Sequence, residues 1–438
     1  MLTFNKKTYS IKLMNVLIGL FPLSYALGNL MINLNTIFVI IFGLYLFKSE
    51  VFKTKNTNNI FLYIFFFTII LSTAYNFFFN QGALVFDKMN IVKSLFFLRY
   101  LLLFLVVGKL VELGLFKLKY FFVASVIIST FLGIDLIVEY HFSKDLFGNV
   151  TDDPYRLSGF FGKEKMAGSY LLNFGIFSTF IIIFFKKDIN LSLLFFLTSF
   201  IFFFVCMSLT GSRMALLLFV MNFLFIFLIE KELLKKFLFV FLAIIVVFAL
   251  LFNFNTRTKM NTINFIFWAK PIITYSIQIF YKPETSFASR STHLNNFKYG
   301  LLLWKKNKIF GNGLRSSRQD CTTNPELRFK QKAGFILCNN HPHNYYIELL
   351  ADTGLFGVAL FCIIFFSSFY KFLKLYIKNK TLKFDERLQF LIPFALYFSY
   401  IFPFKSSGSV FSTNVATMVF LLLAIIANCK SYLANKIK

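Results

Sequence analysis

His343, Arg213 and Arg290 are the side chains through which this 438-residue chain could do acid–base and anion chemistry. His343 stands in His341-Pro342-His343-Asn344-Tyr345, where a long polar segment gives way to a strongly apolar one. A histidine titrates near neutrality, so it is the natural base to take a proton from an attacking hydroxyl. Arg213 closes the tight turn Leu209-Thr210-Gly211-Ser212-Arg213 between two apolar runs, and Arg290 lies in Ser289-Arg290-Ser291-Thr292 at the head of an amphipathic stretch. Guanidinium forks match pairs of phosphate oxygens. Each of the three residues begins a helix, and helix N-termini favour anions. Taken singly, a rim arginine is a snorkelling anchor and an interfacial histidine a helix-cap residue. Their common side of the membrane, argued next, is what joins them.

The elements that must position them are membrane spans. The composition is 58% hydrophobic with 68 phenylalanines, which excludes a soluble domain. Apolar runs near the roughly 20 residues a bilayer requires recur from end to end. They predict an all-α polytopic membrane protein with about twelve transmembrane helices, at roughly 12–28, 30–47, 60–79, 91–108, 120–139, 166–185, 190–208, 213–229, 233–252, 345–370, 387–402 and 410–428. The chain then divides into spans 1–9 over residues 1–252, a large outer loop over 253–344 and spans 10–12 over 345–438. Lys6, Lys7 and Lys12 precede the first run with no small-residue cleavage site after it, so the N-terminus reads as a retained helix. With both termini cytoplasmic every inner connection is basic, while the short outer ones offer only Lys88, Lys93, Lys144, Arg156, Lys163, Lys165, Arg213 and Lys405. The net charge of +27 is therefore mostly positive-inside bias and not a nucleic-acid footprint.

One outer segment departs from that bias. Residues 253–344 carry fourteen lysines and arginines, among them Arg290 and Arg315, against Glu284, Asp320 and Glu326. A basic loop of this length on the outer face suits an anionic partner such as a lipid-linked phosphate. Within it, Leu294, Phe297, Leu301 and Trp304 fall on one face of an amphipathic helix that the glycine-rich stretch from Asn307 to Gly313 ends. Cys321 and Cys338 lie in the same loop, as a disulfide pair or as two thiols. On a helix starting near Asn344, His343, Ile347, Leu350, Gly354 and Gly357 share a face whose glycines admit a close neighbour. Two intramembrane charges in adjacent antiparallel spans, Arg99 and Asp135, predict an ion pair.

Membrane enzymes that use lipid-phosphate sugar donors often hold a divalent metal on acidic residues of their first outer loop. Here that connection is about Leu27-Gly28-Asn29, without an acid. Asp152-Asp153 reads as a turn, and the five cysteines show no metal spacing. Two arginines to meet a departing pyrophosphate and one histidine base, without metal or cofactor, make a coherent glycosyl-transfer site. The chain resembles the O-antigen ligase and polymerase superfamily at these residues. His343-Asn344, nine residues and then Gly354-Leu355-Phe356-Gly357 fit its H-N-x9-G-x-x-G pattern. Ser212-Arg213 after Leu-Thr-Gly looks like its first arginine motif. Ser289-Arg290, with Trp304 and Gly311-Asn312-Gly313-Leu314 downstream, looks like its second. Arg156-Leu157-Ser158-Gly159-Phe160 is similar to another outer motif, with charges at Lys163-Glu164-Lys165 where relatives have asparagine.

The resemblance implies metal-independent transfer of a glycan from undecaprenyl diphosphate to a lipid A-core or similar hydroxyl, at the outer face of a bacterial inner membrane. Arg213 and Arg290 would hold the diphosphate and His343 would activate the acceptor. Asn344, which could orient the histidine, joins Arg156 and Arg315 as candidates for substrate contact. A repeat-unit polymerase shares these motifs. A transporter of lipid-linked sugars, the reading from another class, would explain the spans but predicts inverted repeats that are absent.

Overall fold

A backbone in hydrocarbon must satisfy its own hydrogen bonds, so apolar runs of this length fold as helices. A computed structural model describes residues 2–53, 58–79, 88–150, 156–181, 189–230, 233–256, 258–260, 262–263, 267, 292–323, 340–378, 384–405 and 408–435, and all regular structure among them is helical. The helices are α1 (Leu2–Gly19), α2 (Phe21–Ala26), α3 (Asn29–Phe47), α4 (Asn58–Phe79), α5 (Lys88–Glu112), α6 (Lys119–Phe142), α7 (Ala167–Thr179) and α8 (Ile189–Leu209). They continue as α9 (Arg213–Ile229), α10 (Leu234–Phe254), α11 (Thr292–Lys306), α12 (Ser316–Thr323), α13 (Tyr345–Lys378), α14 (Phe384–Ile401) and α15 (Thr413–Asn435). Six segments are long and apolar enough to cross a membrane, namely Asn29–Val51, Asn58–Phe79, Lys88–Glu112, Lys119–Phe142, Tyr345–Lys378 and Thr413–Lys430. Shorter apolar helices lie at Leu194–Leu209, Arg213–Ile229 and Phe241–Phe254. Asp152–Asp153, Arg290 and most of 264–291 and 324–339 lie outside the described residues.

Some expected spans are interrupted, for local reasons. The first is split between α1 and α2, because Pro22 in the first turn of α2 has no N–H to continue the ladder. Aromatic side chains fill the core. Phe97 of α5 packs edge-on against Tyr100 at 5.0 Å and against Phe411 at 5.2 Å, and Phe66 of α4 meets Phe420 of α15 at 5.1 Å. At Gly108 α5 and α15 come so close that a Cβ would stand 2.6 Å from the Asn428 amide nitrogen.

The Arg99–Asp135 pair does not form. The Arg99 guanidinium donates to the Phe96 carbonyl at 2.8 Å and to the Tyr100 hydroxyl at 2.7 Å, and it lies over the Tyr100 ring. Asp135 instead accepts from the Leu146 N–H at 2.7 Å. Each charge is met by groups close to it in sequence, at no cost in bridging two helices.

The glycine face of α13 receives the close neighbour its glycines admit, but not as an unbroken helix. The helix does start at Tyr345, but Gly354 sits at φ 66°, ψ −168°, and the helix kinks there. What approaches is the loop after α11 and not a neighbouring helix. Leu355 and Phe356 N–H groups donate to the Lys308 and Ile309 carbonyls at 2.9 and 3.1 Å. Asn312 and Gly313 N–H groups donate to the Ala351 and Asp352 carbonyls, both at 2.9 Å. A Cβ at Gly354 would stand inside contact distance of the Ile309 carbonyl, and one at Gly311 would meet the Asp352–Thr353 peptide. Both close approaches require glycine. Buried Asp352 completes the joint, accepting from the Arg315 N–H at 2.7 Å, the Ser316 N–H at 3.1 Å and the Ser316 hydroxyl at 2.6 Å.

The apolar face of α11 is used for the same joint. Leu294 and Leu301 bury against Ile347 of α13, with Phe297, Trp304 and Leu350 packed around them. The loop helix is thus seated on the turn that carries His343, directly beside its polar end.

Candidate functional site

Two cavities of about 310 Å³ each meet at the turn between α8 and α9. Thr210-Gly211-Ser212 makes this turn, with Gly211 at φ 63°. The turn presses against α7, where a Cβ on Gly168 would lie 2.5 Å from Ser212 Cβ and 2.8 Å from Thr210 Oγ1. The starts of α7 and α9 are therefore side by side. Neither has a side chain capping its first-turn N–H groups: the N-cap residues are Met166 and Ser212.

The second of these cavities is apolar. Phe204, Met207, Leu216, Val220, Ile244 and Phe248 line it between α8, α9 and α10, and Ser212 and Arg213 stand at one end with Thr258 and Thr262. Arg213 is exposed, and Arg156 is close enough to act on its charge. The segment bearing Arg156 is tied down locally. Leu157 N–H donates to the Leu209 carbonyl at 3.4 Å, and Glu139 accepts from Ser158 and Gly159 N–H groups at 3.1 and 2.7 Å. These bonds bring two of the expected residues, Arg156 and Arg213, to one rim.

The first cavity is the more polar of the two. Ser169, Tyr170 and Asn173 come from α7 and Ser212, Met214 and Ala215 from the start of α9. Tyr345 begins α13, Tyr400 ends α14, Asn414 begins α15, and Lys405 comes from the connection between those last two. The Lys405 ammonium lies 4.3 Å from the Tyr400 ring centroid and 5.5 Å from that of Tyr345. Desolvation pushes its pKa down to about 7. No carboxylate is among the described residues that line this cavity. The tyrosine rings are fixed through their hydroxyls: Tyr400 donates to Asn173 Oδ1 at 2.9 Å, Tyr170 to the Pro22 carbonyl at 3.0 Å, and Tyr25 to the Asn414 carbonyl.

The histidine turn is tied to this cavity through Tyr345, which lines it two residues after His343. His343 adopts φ 59°, an unusual conformation for a side-chain-bearing residue. The His341 ring lies 4.2 Å from the His343 ring, centroid to centroid. Burial, with the charge of His343 second, lowers the His341 pKa to about 4, and its Nε2 is buried without a hydrogen-bond partner. His341 is thus in ring contact with His343, where the H-N-x9-G-x-x-G pattern alone leaves it outside. Asn344 does not orient His343. Its Oδ1 accepts from Tyr346 and Ile347 N–H groups at 3.0 and 3.2 Å, capping α13, while its Nδ2 donates to the Pro403 and Lys405 carbonyls at 2.8 and 3.4 Å. With both ends of the amide so committed, Asn344 holds the Lys405 connection against the start of α13.

Arg315 is separate from both cavities. It has φ 60°, its backbone is bound by Asp352, and its half-buried guanidinium makes no hydrogen bond or ion pair with the described residues. Burial and neighbouring Arg318 lower its pKa, opposed by Glu348 and Asp352. Cys321 is disulfide-bonded, and Cys206, Cys362 and Cys429 are free. Lys405, Tyr345, Tyr400 and Asn173 had no motif to mark them. The one available signal was Lys405 as a lone cation after the apolar Phe402-Pro403-Phe404, in a connection expected on the outer face.

Comparison with curated proteins gives no match. Residues 194–362 match the family model described as O-Antigen ligase. The matched span runs from α8 through the kinked part of α13. It takes in the turn before Arg213, the docked loop and the histidine turn.

Proposed function

We propose, from the match of residues 194–362 to the O-antigen ligase family model, that this chain is a membrane glycosyltransferase of the ligase type. It moves a glycan from undecaprenyl diphosphate to a lipid A-core or similar acceptor hydroxyl, at the outer face of a bacterial inner membrane crossed about twelve times. The observation that carries the reading is the pair of cavities that share Ser212 in their walls. One is apolar with an arginine among its lining residues, as a polyprenyl diphosphate requires, and the other is the more polar and is lined by Tyr345, two residues after His343. The bonded Cys321 in the 253–344 segment supports an oxidising outer side for that loop.

In the reaction, His343 removes the proton of the acceptor hydroxyl as its oxygen attacks the anomeric carbon. The new carbon–oxygen bond forms as the bond to the diphosphate breaks, from the opposite face, so the anomeric centre inverts. Arg213 and Arg290 meet the charge that develops on the departing diphosphate, with Arg156 at the same rim as Arg213. Arg315, whose backbone is bound at the α13 kink, stands as a further candidate for substrate contact outside the two cavities.

Deletion of the gene tests the assignment: lipid-linked polymer accumulates, and a His343→Ala copy fails to restore transfer, with the rate about 100-fold down or more. Accumulation of single repeat units instead would assign the chain as a polymerase. Normal transfer by the His343 variant would remove the base.

A further inference from the structure

The polar cavity contains a cation that the reaction above does not use. The Lys405 ammonium makes no hydrogen bond or ion pair with the described residues, lies over two tyrosine rings, and has no carboxylate among the described residues that line its cavity. Taking an ammonium out of water without a counter-ion is costly, and its lowered pKa is the signature of that cost. Donors surround it. Asn173 and Asn414 line the cavity, and their side-chain oxygens are already bound, which leaves the amide nitrogens as donors: the first oxygen accepts from Tyr400, and the second from Ser412 and Val415. The uncapped first turns of α7 and α9 end at the same wall, pinned together at Gly168 and Ser212. Their unsatisfied N–H groups and dipoles add positive potential to it. A cavity offering a cation, amide donors and two helix N-termini, and lined by no acid, is complementary to an acceptor-only ligand.

We propose that this cavity seats the diphosphate of the lipid-linked donor, with Lys405 as its cationic partner, across Ser212 from the apolar cavity that Arg213 lines. The seat rests on the glycosyltransferase reading for its ligand but not for its geometry. Lys405 then complements Arg213: the arginine is exposed, and the lysine supplies the charge inside the cavity. Asn344, by bonding the Pro403 and Lys405 carbonyls, fixes how far that lysine stands from the histidine turn.

Binding of inorganic pyrophosphate and of farnesyl diphosphate to the full-length protein in phosphatidylcholine nanodiscs tests this by calorimetry. Lys405→Met should weaken both ligands by about 10- to 100-fold, the scale of one charge-assisted contact, whereas Lys405→Arg should stay within about threefold of wild type. Asn173→Asp is a second variant of unchanged shape. It keeps the acceptor for Tyr400, adds a carboxylate to the wall, and should weaken both ligands similarly. Melting curves establish that each variant is folded. The proposal is overturned if the wild type binds neither ligand, or if folded Lys405→Met and Asn173→Asp bind as well as wild type. Because glycan transfer is not read, the two ideas fail separately. Binding that depends on Lys405 in a protein that transfers no glycan leaves the seat and removes the enzyme, and transfer with binding indifferent to Lys405 does the reverse.

Discussion

Replacing Gly354 with alanine isolates the joint on which the histidine helix depends. At φ 66°, ψ −168° the residue occupies a region open essentially to glycine alone, which costs about 1–3 kcal/mol for any other side chain. The added methyl would also stand inside contact distance of the Ile309 carbonyl, so the loop must withdraw. Four backbone hydrogen bonds cross this joint, from Leu355, Phe356, Asn312 and Gly313. Loss of two or three, at about 1 kcal/mol each, brings the expected destabilisation to about 3–6 kcal/mol. Gly148 supplies the control. Its φ is 84°, but nothing lies within 4 Å of an added Cβ, so Gly148→Ala carries the conformational cost alone, about 1–2 kcal/mol. Unfolding of the two purified variants in the same detergent, followed by intrinsic fluorescence, gives the difference. Equal destabilisation would show that the loop does not dock at Gly354, and the account of the glycine motif would fall with it.

The remaining predictions concern pH and metal. His341 has its folded pKa lowered from 6.5 to about 4, so its neutral form is the one folding favours. Its contribution to stability is therefore complete above about pH 6.5 and is lost as pH falls towards about 4. His341→Gln should flatten the melting temperature across that window, and a slope equal to wild type counts against the buried neutral imidazole. Transfer by the purified protein should persist in excess EDTA, since arginines and Lys405 supply the positive charge. Activity abolished by EDTA and restored by magnesium would refute that division of labour.

The helices were legible because hydrocarbon leaves an apolar run no alternative, and α3, α5, α6 and α9 lie where hydropathy put them. Rotation about a helix axis is not written in hydropathy, which is why Arg99 and Asp135, near in depth, turn out to face different partners. The break in α13 was half legible. Gly354 and Gly357 announced a close approach, but the approaching segment is the Lys308–Gly313 loop, some forty residues earlier in the chain, and local spacing says nothing of it. Lys405 was less legible still. Its environment is built from α7, α9, α13, α14 and α15, so a residue that reads as one more outer charge becomes a desolvated cation only in three dimensions.

The spacing in His343-Asn344-x9-Gly354 then acquires a mechanical meaning. Asn344 caps α13 at one end and bonds the Lys405 connection; Gly354 opens the helix at the other end to receive the loop that follows α11. Ten residues of helix at 1.5 Å each set these two joints about 15 Å apart. One residue more or fewer would turn the cap by about 100° relative to the docked loop, carrying His343 away from the cavity edge. Leu294 and Leu301 of α11 pack on Ile347 between the two joints, so the loop helix is clamped to the same rod. The apolar face of α11, the glycine break and the asparagine cap therefore serve one end. They fix the loop helix beside a histidine turn whose other neighbour is a lysine without a counter-ion.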